Sequence, residues 1–129
     1  SNYDITFNFV SVDTLSLDDN TTKFLNNRNI HFETYNCIND VIENTDVLYM
    51  TRIQKERLNG EEVDIDFIEN NLYLTQESLT NAKKNIVIMH PLPRNNEINK
   101  NIDNDPRAAY FRQMENGLYV RMALLQLLI

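Results

Sequence analysis

Two short segments concentrate side chains able to hold an anion. The first is Thr51-Arg52-Ile53-Gln54-Lys55-Glu56-Arg57, where cations and an amide crowd together. Arg52 is the residue to explain, because its planar fork can grip a carboxylate through two parallel hydrogen bonds. Glu56, four positions on, is placed to hold that fork, and Gln54 donates and accepts beside it. The competing interpretation is a solvated charged turn, whose surface pairs contribute about 0 to 1 kcal/mol each.

The second segment is His90-Pro91-Leu92-Pro93-Arg94. Its prolines stiffen the backbone and remove donors, which suits a site that presents carbonyls in fixed directions. An X-Pro bond adopts cis at modest cost, and a cis bond here turns the Leu92 carbonyl toward a ligand. An ordinary stiff loop is the alternative. His90 is a candidate general base, although a lone histidine ending a core strand is more often a hydrogen-bonded structural residue.

Both segments follow runs that read as strands. Val47-Leu48-Tyr49-Met50 is continuously apolar, as in a central parallel strand covered on both faces, and Ile86-Val87-Ile88-Met89 is the most strand-like stretch of all. Ile5 to Val10 and Ile30 to Tyr35 alternate apolar and polar residues and read as further strands. Asp18 to Asn27 reads as a surface helix started by Asp18 or Asp19, while Ile38, Val41 and Ile42 mark a short buried helical face. The acidic stretch Glu61 to Asn70 reads as a mobile loop, and Thr75 to Lys84 as a helix capped by Thr75. From Tyr110, Phe111, Met114, Leu118, Met122, Leu125 and Ile129 recur at three- or four-residue spacing, predicting a long closing helix.

Strands separated by helices predict an α/β, three-layer domain with a mostly parallel sheet flanked by helices, closing on that long C-terminal helix. Ligands bind such sheets at the carboxyl ends of the strands, where both candidate segments lie. At 129 residues the chain suits one domain, residues 1–129.

Composition narrows the function classes. Apolar residues at 42% and charged residues at 24% are those of a folding globular chain. A net charge of −7 argues against nucleic acid or an anionic membrane as partner, so an anionic substrate must be captured by local cations. The longest apolar run, Met122 to Ile129, is too short for the roughly 20 residues that span a bilayer. The single cysteine, Cys37, fits a reducing compartment, and Ser1-Asn2-Tyr3-Asp4 shows no secretory pattern, so a cytoplasmic location is expected unless a targeting segment lies upstream. There is no Gly-rich phosphate loop, no Gly-x-Ser-x-Gly elbow and no Cys or His pairing at metal spacing.

Taken together, Asp46 to Arg57 and His90 to Arg94 resemble the aspartate carbamoyltransferase family. The closing stretch, Tyr110-Phe111, Asn116-Gly117 and Arg121 to Leu125, is similar to that family's last helix, so the resemblance covers essentially the whole chain. It implies transfer of a carbamoyl group from carbamoyl phosphate to L-aspartate in pyrimidine synthesis, with no metal or organic cofactor. It implies that Arg52 grips the substrate's side-chain carboxylate, that Gln54 assists, and that Glu56 and Glu97 orient Arg52. Leu92 and Pro93 match positions whose backbone contacts carbamoyl phosphate, joined by a cis bond, and Arg57 and Arg94 resemble residues near a domain interface.

The family's Ser-Thr-Arg-Thr-type motif and the rest of its carbamoyl-phosphate-binding half are not in this sequence. The resemblance therefore implies an aspartate-binding domain, inactive alone, that works in a longer, homotrimeric chain. The segment Asn59 to Leu74 departs from the family pattern, replacing its mobile loop with an acidic, Asn-containing one. The rivals are an ornithine carbamoyltransferase, whose strand end resembles His-Cys-Leu-Pro rather than His-Pro-Leu-Pro, and a non-catalytic scaffold of the same fold.

Overall fold

A computed structural model describes residues 4–53 and 64–129. Strand β1 (Phe7–Val10) leads to helix α1 (Asp19–Asn27) and strand β2 (Phe32–Tyr35). Strand β3 (Val47–Tyr49), helix α2 (Ile65–Leu72), strand β4 (Val87–Met89) and helix α3 (Tyr110–Leu128) follow, joined by short 3-10 turns. The α/β class, the parallel pairing and the long last helix are those expected from the sequence.

Pairing divides into two parallel ribbons. β1 lies beside β2 with Phe7 opposite Phe32, and β3 lies beside β4 with Val47 opposite Val87 and Tyr49 opposite Met89. Residues of β1 and β3 line a common cleft of about 900 Å³. Consequently β3 is not covered on both faces: Leu48 is buried, while Val47 and Tyr49 are exposed. The far edge of β4 is occupied, because Ile88 N–H donates to the Arg107 carbonyl at 2.9 Å and Ala109 N–H donates to the Ile88 carbonyl at 2.8 Å.

The core is continuous around the β3–β4 pair and includes Ile38, Ile42, Leu48, Leu74, Leu79, Ile86, Ile88, Ile98, Ile102 and Tyr110. Full burial of side chains of this size contributes about 1.5–3 kcal/mol each.

Helix α1 begins as expected, with the Asp18 carboxylate accepting the Thr21 N–H at 2.8 Å. That bond also holds the Asp18 carboxyl below its ordinary value. Ile38, Val41 and Ile42 are buried as their spacing predicts, but on two 3-10 turns, Ile38–Asp40 and Ile42–Asn44, rather than a helix.

Two expectations are corrected outright. The described part of the supposed acidic loop is helix α2, capped by Asp64, whose carboxylate accepts the Phe67 N–H at 2.9 Å. Ile68 and Leu72, four apart, supply its buried stripe. The helix expected over Thr75 to Lys84 is a single turn, Ser78–Thr80. Thr75 is not its cap, a position held by Glu77 without a side-chain bond, although the Thr75 hydroxyl accepts the Ser78 N–H at 3.2 Å; Leu79 is the one apolar side chain on that turn to bury. Lys83 instead closes a turn into β4, its carbonyl accepting the Ile86 N–H at 3.3 Å.

Helix α3 forms with the expected spacing, yet beyond Tyr110 none of its residues is buried. Met114, Leu118, Met122 and Leu125 are each more than half exposed, at 55%, 54%, 57% and 59%. Among the described residues, no helix is long and apolar enough to cross a membrane.

Candidate functional site

The parallel register of β3 and β4 brings the two candidate segments together. Tyr49 faces Met89, and Met50 N–H donates to the Met89 carbonyl at 2.9 Å. Arg52 and His90 therefore leave the same carboxyl edge from neighbouring strands, the place where parallel sheets take ligands.

A cleft of about 510 Å³ opens at this edge, lined by Arg52, Ile53, Tyr73, Asn95, Asn96, Glu97, Arg94 and Lys100. Its volume falls within the roughly 300–1,000 Å³ typical of small-ligand sites. Three of its lining side chains are cationic and one, Glu97, is acidic, so the wall favours an anion.

The loop after β4 is held from below. His90 and Glu97 are both buried, at 1% and 3% exposure, and His90 Nε2 lies 2.9 Å from Glu97 Oε1. Leu92 N–H donates to His90 Nδ1 at 2.8 Å, which leaves Nε2 as the proton-bearing nitrogen that donates to Glu97. With both ring nitrogens engaged and the side chain out of solvent, His90 is a structural hydrogen-bonding residue rather than a general base. The Glu97 carboxylate also accepts the Asn95 N–H, at 3.2 and 3.1 Å to its two oxygens.

The Leu92-Pro93 bond is cis, as the resemblance implies, and Leu92 has φ 47°, in the left-handed region. Leu92 packs partly against the core while Pro93 is exposed. Neither lines the cleft beside Arg52.

Arg94 is clamped. Its guanidinium donates to both Asp103 oxygens at 2.5 and 2.6 Å and to the Tyr110 hydroxyl at 3.1 Å, and it also lies over the Tyr110 ring. The hydroxyl in turn donates to Asp103 at 2.6 Å. Hydrogen bonding from Arg94 holds the Asp103 carboxyl below its ordinary value, and Asp103 raises that of Arg94. Burial, aided by Asp103, pushes the Tyr110 phenol up to about 12. Gln113, one turn into α3, accepts the His90 N–H at 2.9 Å and donates to the Tyr49 hydroxyl at 3.2 Å. The first turn of α3 is thus tied to both site strands.

Of the residues named from the sequence, the structure brings Arg52 and Glu97 to one cleft and places Leu92 and Pro93 on the adjoining loop. Gln54, Glu56 and Arg57 lie outside the described residues. Glu97 does not meet the expectation in simple form, because its carboxylate faces His90 and Asn95. Asp103 and Gln113, and the pairing of Tyr110 with Arg94, are not legible in the sequence, since nothing local to Asn101 to Pro106 announces an arginine partner. Among the described residues, no group of three His, Cys, Asp or Glu side chains is placed to hold a metal.

Residues 1–128 match the family defined as aspartate/ornithine carbamoyltransferase, Asp/Orn binding domain. The chain belongs to that family. It is 48% identical over 117 residues to the aspartate carbamoyltransferase catalytic subunit of Clostridium acetobutylicum, covering 90% of this chain and 38% of that one. It is 47% identical over 127 residues to multifunctional protein pyr1-3 of Dictyostelium discoideum, covering 98% of this chain and 6% of that protein. Among solved structures, Trypanosoma cruzi aspartate transcarbamoylase in complex with N-(phosphonacetyl)-L-aspartic acid superposes with a TM-score of 0.83 at 32% identity, over 93% of this chain and 39% of that one. The chain therefore spans well under half the length of the carbamoyltransferases it matches.

Proposed function

We propose that residues 1–129 are the aspartate-binding domain of an aspartate carbamoyltransferase, working in a longer polypeptide with a carbamoyl-phosphate-binding half. In that reaction the amine of L-aspartate attacks the carbonyl carbon of carbamoyl phosphate. The bond from that carbon to the phosphate oxygen breaks, the amine loses a proton, and N-carbamoyl-L-aspartate and phosphate leave. The observation that carries the reading is that Arg52 and the His90 to Arg94 loop leave the same carboxyl edge of β3 and β4, where Arg94 lines the cleft beside Arg52.

Arg52 grips the substrate's side-chain carboxylate, with Gln54 assisting and Glu56 holding the guanidinium. The Leu92-Pro93 backbone meets carbamoyl phosphate. Most stabilisation of the tetrahedral transition state comes from groups outside this chain, which alone is inactive. A homotrimeric, cytoplasmic enzyme is part of the same reading.

The cleft's composition favours aspartate over ornithine, because Arg52 and Lys100 line it beside the Asp103-paired Arg94, and a cationic side chain would meet like charge. The defining test is carbamoyl transfer by the full-length polypeptide, offered aspartate and ornithine separately, beside the 129-residue piece. Transfer to aspartate by the full-length polypeptide only is expected. A folded but inactive polypeptide would instead favour the scaffold reading, and preference for ornithine would move the chain to the other branch of its family.

A further inference from the structure

We infer that Glu97 and His90 are positioning residues for the carbamoyl-phosphate side of the site: a buried Glu97–His90 pair holds the Leu92 amide in its left-handed conformation and so aims the Leu92-Pro93 backbone. The inference rests on the function proposed above and reassigns Glu97, which the resemblance gives to Arg52.

The chain of contacts runs one way. Glu97 accepts from His90 Nε2 at 2.9 Å, and His90 Nδ1 accepts from Leu92 N–H at 2.8 Å. His90 cannot turn its ring without losing both bonds, and its backbone N–H is itself fixed by Gln113 at 2.9 Å. Glu97 is anchored from its own side, its carboxylate by the Asn95 N–H and its carbonyl by the Leu74 N–H at 2.8 Å.

Leu92, at φ 47°, occupies a region that L-residues with bulky side chains rarely adopt. Such a conformation persists only where its surroundings over-determine it. The amide that His90 accepts belongs to that residue. Because His90 and Glu97 are 1% and 3% exposed, water is poorly placed to replace either bond. Glu97 also lines the cleft with Arg52, so the same carboxylate lies beneath the aspartate site while its hydrogen bonds serve the neighbouring loop.

The test uses the full-length polypeptide and four variants, His90→Ala, His90→Asn, Glu97→Gln and Glu97→Ala. The Asn side-chain oxygen can still accept from Leu92 but its short side chain cannot reach Glu97, whereas Gln at 97 keeps an acceptor for His90. KM for each substrate and kcat are measured, together with calorimetric binding of carbamoyl phosphate without aspartate.

His90→Ala and Glu97→Ala are expected to weaken carbamoyl phosphate binding and raise its KM about 10-fold or more, with aspartate KM moving less than about 3-fold. Glu97→Gln is expected to recover most of that loss, and His90→Asn, which keeps the acceptor for Leu92 but not the bond to Glu97, only part of it. If the alanine variants do not fold, the two conservative variants still show the split between substrates, at smaller amplitude. An aspartate KM that rises more than the carbamoyl phosphate KM in the Glu97 variants would overturn the inference and return Glu97 to Arg52. Equal changes for both substrates, or no change in either, would reduce the pair to a fold-holding role and overturn it as well. An unmodified polypeptide that makes no carbamoyl aspartate would overturn the proposed function itself, a result separate from a selective failure of the variants.

Discussion

At the carboxyl ends of β3 and β4 the polar side chains are matched: buried His90 with Glu97 and with the Leu92 amide, and half-buried Arg94 with Asp103 and Tyr110. Along α3, one turn beyond Tyr110, the apolar stripe of Met114, Leu118, Met122 and Leu125 stands in solvent. The partners in the first region come from positions only 2 to 16 residues apart in the chain. The second has no such partners among the described residues. The difference teaches that the site is built on the buried core around β3 and β4 while the apolar stripe of α3 adds little to it, the two regions being joined at Tyr110 and Gln113.

The largest expected effect breaks the join. Tyr110 is fully buried, so Tyr110→Ala should destabilise the full-length polypeptide by about 3–5 kcal/mol in urea denaturation, losing both packing and the Arg94–Asp103 clamp. A loss under 1 kcal/mol would mean the two regions are not coupled there.

Next, Arg52→Ala should raise aspartate KM about 100-fold while leaving carbamoyl phosphate KM nearly unchanged, since a bound carboxylate would lose a charged partner. Equal effects on both substrates would remove Arg52 from the aspartate site.

A smaller effect sharpens the description of the clamp. Asp103→Asn should cost about 1–3 kcal/mol by weakening its charge-assisted bonds to Arg94. The Asp103 carboxyl is depressed in the folded state, so its contribution is present above the unfolded value of 3.8 and is lost as pH falls through the lower folded value. Acid titration of stability should therefore be shallower below about pH 4 in the variant than in the parent.

The smallest effect concerns α3. Leu118→Gln in the isolated 129-residue piece should change stability by no more than about 0.5 kcal/mol, because Leu118 is already 54% exposed. In the full-length polypeptide the same change should cost more. Equal small effects in both settings would show that nothing covers this face.

Much of the fold was legible in sequence because its signals are local. Asp18 caps α1, Ile86 to Met89 reads as a strand, and the spacing from Tyr110 onward predicts α3, each through contacts within a few residues. Helix α2 is not legible in the sequence although Asp64 carries the cap and Ile68 and Leu72 the stripe, because the acidic surroundings outweigh two apolar residues four apart. The turn at Ser78–Thr80 was overextended for the opposite reason, since good helix formers without a buried stripe do not sustain a helix.

The sequence by itself determined the strands, the first and last helices, the two site segments and, through their wording, the family. Only the tertiary structure decided that Glu97 faces His90, that Arg94 is clamped by Asp103 and Tyr110, and that the stripe of α3 is left uncovered. Residue spacing reports local periodicity and motif. It carries no record of which buried side chains, brought together from separate segments, satisfy one another.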